Sequence, residues 1–221
     1  MTRSAATLLK TLPAVAACLA LAPASASATT SRYTTPDATA TSGSCTWSTP
    51  CRVDVAINGA ASGDQVKVAS GTYQVTVPLQ TQGAVDIKGD DDTARPVLVG
   101  PSSFTVPLLV DELGGKVKHL ALQSNAPGQA ALELAGGKGD DLILTSSTSN
   151  AAKLHAASPA TVLENAMVRT GGAQDTALKV DSSGSGTVEL RNLTVNGPGL
   201  AIKCDVADGT VALVNVIARG G

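Results

Sequence analysis

The sequence predicts an all-β fold, a solenoid built as a parallel β-helix with a short N-terminal capping helix. Three observations predict it. Hydrophobic residues make up 43% of the chain and aromatics only 2%, so the core must be built from Val, Leu, Ile and Ala. That composition, with 22 glycines, suits many short strands joined by tight corners. A polar-marked unit recurs with a period in the twenties, and a second apolar column recurs at a similar period.

In chain order, residues 1–28 read as a signal peptide. Arg3 and Lys10 make a positive start, Thr11 to Ala22 is apolar, and Pro23 to Ala28 supplies small residues of the A-x-A kind. Export to the extracellular space follows. The alternative is a lipid anchor at Cys18, because Val15-Ala16-Ala17-Cys18 resembles a lipoprotein box. No later stretch is long and apolar enough to span a bilayer.

Residues 29–44 are rich in Thr, Ser and Ala and lack apolar periodicity, which predicts a flexible leader. The solenoid domain is expected over 45–221. Cys45 and Cys51 flank Thr-Trp-Ser-Thr-Pro, a loop that a disulfide can close in an oxidising compartment. Arg52 to Ala61 places Val53, Ile57, Ala60 and Ala61 at helical spacing. An amphipathic helix here would plug the apolar end of a solenoid. Gln65 to Ala69 then alternates as a strand, and Gly71-Thr72-Tyr73 turns a corner.

Cys51, Ala56-Ile57-Asn58-Gly59-Ala60, Gly63-Asp64-x-Val66 and Gly71-Thr72-Tyr73 together resemble the opening of right-handed parallel β-helix domains of the pectate-lyase-like fold, common in secreted bacterial proteins. The resemblance implies a right-handed coil. It implies no single activity, since lyases, hydrolases, adhesins and structural proteins share the fold.

The repeats register themselves. The unit x-V-x-x-[N/H/D]-apolar-x-apolar places its polar member at His119, Asp141, Asn165, Asn192 and Asn215, in steps of 22, 24, 27 and 23 residues. A second column pairs Leu108/Val110, Leu132/Leu134, Ala152/Leu154, Leu178/Val180 and Ile202/Cys204. Equivalent residues on successive coils then lie about 4.8 Å apart. The polar column is expected at a bend, with its amides stacked. Cys204 falls in the column of Val110, Leu134, Leu154 and Val180, so a buried thiol is expected. The chain stops just after a rung strand, so the domain is expected to be incomplete at that end or covered there by a partner chain.

Chemistry has few anchors. Net charge is −2 with no basic block, which argues against nucleic acid. No cofactor is called for. The one metal that the acidic clusters Asp90-Asp91-Asp92 and Asp140-Asp141 admit is calcium, which needs six to eight converging oxygens. The register gives a sharper constellation. Outward rows would run Glu133, Lys153, Lys179, Lys203 and Asp111, Ala135, His155, Asp181, Asp205. Residues two apart share a face, so Lys153/His155, Lys179/Asp181 and Lys203/Asp205 form a charged ladder. Neighbouring carboxylates at Asp181 and Asp205 could serve a retaining glycosidase, and a lysine beside them a polysaccharide lyase. Against catalysis, the ladder is regular rather than convergent. No aromatic follows Phe104. The Gly-His-Gly and Asn-Thr-Asp of polygalacturonases and the W-x-D-H of pectate lyases are missing. The sequence therefore predicts a secreted, non-catalytic protein for surface display or polysaccharide binding through this ladder. The alternatives are a lyase or glycosidase, or a structural stalk.

Overall fold

The computed structural model describes residues 29–221 except 91, 92, 112, 113, 174, 183 and 184, and omits the side chain of Ser182. The expected signal peptide and Cys18 lie outside the described residues. The fold is a parallel β-solenoid of about six turns. Every pairing between its strands is parallel.

One face begins with β1 (Ser31–Thr34), β2 (Gln65–Val68) and β5 (Asp86–Gly89), separated in the chain by the helix α1 (Val53–Asn58). It continues through the first halves of β8 (Lys116–Ser124) and β10 (Lys138–Ser146), then β12 (Thr161–Glu164) and the first halves of β15 (Thr187–Asn196) and β17 (Thr210–Arg219). The second face holds β3 (Thr72–Gln74), β6 (Val97–Gly100), β13 (Met167–Thr170) and the second halves of the long strands. The third stacks β4 (Leu79–Gln80), β7 (Leu109–Asp111), β9 (Leu132–Ala135), β11 (Ala152–His155), β14 (Leu178–Ser182) and β16 (Ile202–Val206).

The corner between the first two faces explains the polar column. His119, Asp141, Asn165, Asn192 and Asn215 all take the left-handed conformation, with φ between 51° and 55°. Bulky apolar residues pay for that region, whereas Asn, Asp and His tolerate it. The amides also bond along the solenoid. Asn215 Nδ2 donates to Asn192 Oδ1 and Asn192 Nδ2 to Asn165 Oδ1, both at 3.1 Å. Asn165 Nδ2 then donates to Asp140 Oδ1 at 2.8 Å. At the other end of the column Asp141 receives Arg95 and contacts His119 Nδ1 at 2.6 Å.

The core is a stack of aliphatic columns, each following one inward position from coil to coil. Leu134, Leu154 and Val180 form one, and Leu120 and Leu142 belong to another. All five are buried. Helix α1 covers the start of the stack through Val53, Ala56 and Ile57; it is shorter than the Arg52 to Ala61 span expected, so that Ala60 is buried beyond its end and Ala61 is exposed.

Three expectations need correction. Residues 31–34, expected in a flexible leader, form β1, which pairs with β2 so that Tyr33 lies beside Lys67. Arg32 ties this strand to the helix by donating from Nε to Ala56 O at 2.9 Å and from Nη2 to Val55 O at 3.1 Å, the end where a cation suits the helix dipole. The third-face register is also shifted by one residue at β7: Leu109, not Leu108, pairs with Leu132. Since side chains alternate, the slip turns Asp111 inward. It is fully buried beneath Leu134 and accepts a hydrogen bond from Thr81 Oγ1 at 2.9 Å. Finally, Cys204 sits in its predicted column beside Val180 but is exposed, because β16 pairs on one side only among the described residues.

Candidate functional site

The predicted charged ladder is present, but its charges neutralise one another. Strands β11, β14 and β16 bring Lys153, Lys179 and Lys203 into one row, and His155, Asp181 and Asp205 into the next. Asp181 and Asp205 are neighbours in register, yet each carboxylate is held by the lysine two residues before it. Lys179 Nζ lies 2.9 Å from Asp181 Oδ2, and Lys203 Nζ lies 2.8 Å from Asp205 Oδ2. The Asp205 partner holds the Lys203 ammonium above its ordinary range. The ladder is thus a row of Lys–Asp ion pairs repeated from one coil to the next.

Glu133 is where the ladder converges. Its Oε1 receives Lys153 Nζ at 2.8 Å and lies 2.5 Å from His155 Nε2, and it borders a cavity of about 250 Å³ shared with Lys153, Lys179 and Asn150. His155 hydrogen bonding, aided by Lys153 and opposed by burial, holds the Glu133 carboxyl below the usual carboxylate range. A carboxylate with a depressed folded-state pKa adds stability above its unfolded value of about 4.3 and loses it as pH falls through the folded value. The stability gap between the wild type and Glu133→Gln should therefore shrink on acidification below about 4.3. Urea unfolding from pH 7 to pH 3 reads this directly, and a constant gap would refute it.

A second constellation, not found from the sequence, lies at the other end of the solenoid. The first face carries outward residues Tyr33, Lys67, Lys88 and Lys118 in consecutive register on β1, β2, β5 and β8. Asp140 and Glu164 continue the row on β10 and β12. The three lysines stand on adjacent strands about 4.8 Å apart, so this part of the face carries positive charge. Lys67 Nζ lies 5.4 Å from the Tyr33 ring centroid, within cation–π range.

Beside the row stands Trp47, 78% exposed. It projects from the loop closed by the Cys45–Cys51 disulfide, which forms as the spacing predicted. Thr46 and Thr49 hydroxyls, 2.7 Å apart, brace the same loop. Trp47 meets Tyr33 edge-to-face, with centroids 5.4 Å apart and planes at 82°. Between this pair and the strands opens a cleft of about 520 Å³, lined by Trp47, Tyr33, Pro50, Lys67, Lys88 and Asp90 among others. A cleft of that volume, with an aromatic wall and a few charged groups, has room for a small ligand.

The sequence held a signal for this row: Val66-Lys67, Ile87-Lys88 and Val117-Lys118 each place a lysine after an inward aliphatic. Steps of 21 and 30 residues obscured it, because the segment from Asp90 to Arg95 lengthens one coil. The calcium reading gains no partner: among the described residues no group of three His, Cys, Asp or Glu side chains converges, and Asp91 and Asp92 lie outside them. No described helix is long and apolar enough to cross a membrane. In comparisons with known proteins, no family model, no curated protein and no solved structure matches this chain.

Proposed function

We propose that the chain is a secreted, non-catalytic protein that binds an anionic extracellular polysaccharide in the cleft between Trp47 and the lysine row. The observation that carries this reading is Trp47. Exposing a large aromatic costs hydrophobic free energy, and here a disulfide loop and Tyr33 hold it at the wall of a cleft. Such a side chain offers a sugar ring an apolar face, while Lys67, Lys88 and Lys118 offer charge to carboxylate or sulfate groups along a chain. This seat lies apart from the ladder at Lys153, His155, Lys179, Asp181, Lys203 and Asp205, which has no aromatic wall beside it. A disulfide near the start of the described chain fits export.

The test is titration calorimetry against acidic polysaccharides and their methyl-esterified, neutral forms. Trp47→Ala should weaken binding of the acidic polymer at least tenfold with the β-rich circular dichroism unchanged. Binding should also weaken with added salt. No release of reducing ends is expected. Unchanged affinity in Trp47→Ala, or no binding across a broad acidic panel, would remove the reading.

A further inference from the structure

The charges around the Trp47 cleft differ with direction. Along β5 they alternate in sign. Asp86 and Lys88 share the outer face of the strand, and Asp90, just past its end, borders the cleft. An anionic chain laid along this strand would meet a carboxylate on either side of Lys88. Across the strands the order is different. Tyr33, Lys67, Lys88 and Lys118 follow one another on β1, β2, β5 and β8, so a chain crossing the coils meets an aromatic ring and then lysine after lysine. Lys67 and Lys118, two coils apart, are both exposed.

Beyond Lys118 the row changes sign. Asp140 is its next member on β10, and Glu164 follows on β12. Neither carboxylate swings freely. Asp140 Oδ1 accepts Asn165 Nδ2 at 2.8 Å, and Glu164 Oε1 lies 2.6 Å from Lys138 Nζ. A ligand acid placed over this stretch would meet fixed charge of its own sign, which repels it.

Resting on the reading that an anionic polysaccharide binds at Trp47, we infer that its chain lies along the solenoid axis, across the strands, on a track of fixed length that runs from Trp47 to Lys118 and ends at Asp140. One ring packs against Trp47 and Tyr33, and the acids of later rings lie over Lys67 and Lys118. Asp86 and Asp90 on the two sides of the row keep those acids centred on it. Neighbouring strands are about 4.8 Å apart, close to the advance of a pyranose chain per residue, so the track over β1, β2, β5 and β8 holds about four rings.

Calorimetry with size-fractionated oligogalacturonates and oligomannuronates of two to ten rings, beside their parent polymers, tests the track. Trp47 is the chain's only tryptophan, so its fluorescence reports in the same samples whether the aromatic wall is occupied. Affinity should climb steeply up to about four rings and level off beyond. Lys118→Glu should weaken the four-ring oligomer at least tenfold and bring the levelling-off to shorter chains. Asp140→Lys extends the row by one coil and should carry the levelling-off to longer ones. Circular dichroism checks that both variants are folded. Oligomers that shift Trp47 fluorescence but keep gaining affinity well past the track, bind a folded Lys118→Glu as tightly as the wild type, or level off at the same length in Asp140→Lys would overturn the track and leave the Trp47 cleft as the seat. Absence of binding by every acidic oligomer and polymer, or binding that leaves Trp47 fluorescence unmoved, would remove the seat and the track together.

Discussion

Gly115→Ala is expected to lower the unfolding free energy by about 3 kcal/mol or more, combining steric strain with lost hydrogen bonds. The cause is space rather than torsion. A Cβ at Gly115 would stand 2.3 Å from Val85 O, 2.9 Å from Val85 N and 2.7 Å from Asp111 Oδ2. None of these atoms can retreat cheaply. Val85 O accepts Lys116 N at 2.9 Å, and Gly115 O accepts Lys138 N at the same distance, so the position is clamped by the coils below and above. The Asp111 carboxylate is buried and held by Thr81. Relief requires prising two coils apart and breaking ladder hydrogen bonds worth about 1 kcal/mol each. Gly128→Ala is the control. Its φ is +74°, but no atom lies within 4 Å of the added Cβ, so it should cost only the torsional penalty of about 1–2 kcal/mol. Urea unfolding of both variants decides the matter. Equal losses would mean that the close approach around Asp111 is slack and that the buried carboxylate does not order the backbone.

The Asp111 neighbourhood also marks where sequence periodicity stopped being informative. Apolar columns are legible because a solenoid must repeat its inward positions at each coil, and the steps at His119, Asp141, Asn165, Asn192 and Asn215 match the strand register residue for residue. Their shared left-handed φ gives the column a physical meaning that spacing alone only suggested. A buried acid in an apolar column breaks the pattern that defines the register. Leu108-Leu109-Val110 offered two apolar alignments, and matching Val110 to Leu134 kept Asp111 outside. The structure takes the other alignment and satisfies the acid with Thr81.

The candidate surface was less legible for a related reason. The charged ladder on β11, β14 and β16 was found because it follows from the same repeat, and for that reason it is regular and self-neutralised. The Trp47 cleft depends on what does not repeat. It needs β1, whose four residues are too few to show alternation, and the disulfide loop that precedes the first coil. It also needs three lysines whose spacing the segment from Asp90 to Arg95 disrupts. Position within a repeat could place Cys204 in its column, but exposure depends on what stacks above it. Column membership therefore identified its neighbour Val180 and misjudged its burial.

Leu154→Ala should cost about 2–5 kcal/mol, because the site cannot collapse around the deleted atoms. Leu154 is fully buried between Leu134 and Val180, with all three positions on parallel strands about 4.8 Å apart. In a globular core, neighbouring side chains can shift to fill part of a cavity. Here the backbone of each coil is pinned to its neighbours on three faces, and the flanking residues are themselves bound to their rungs. The cavity term should therefore sit near the upper end of that range, and the loss should spread to adjacent coils, since a solenoid's stability resides in nearest-neighbour interfaces. Hydrogen exchange should then quicken in β9 and β14 beside β11, while the amides of β1 and β2 stay as protected as in the wild type. Met167→Ala on the outer face of β13 removes a side chain of similar volume that is already partly solvated, and should cost under about 1 kcal/mol. A Leu154→Ala loss no larger than that of Met167→Ala would mean that the aliphatic columns pack loosely and that the backbone ladder alone holds the coils in register.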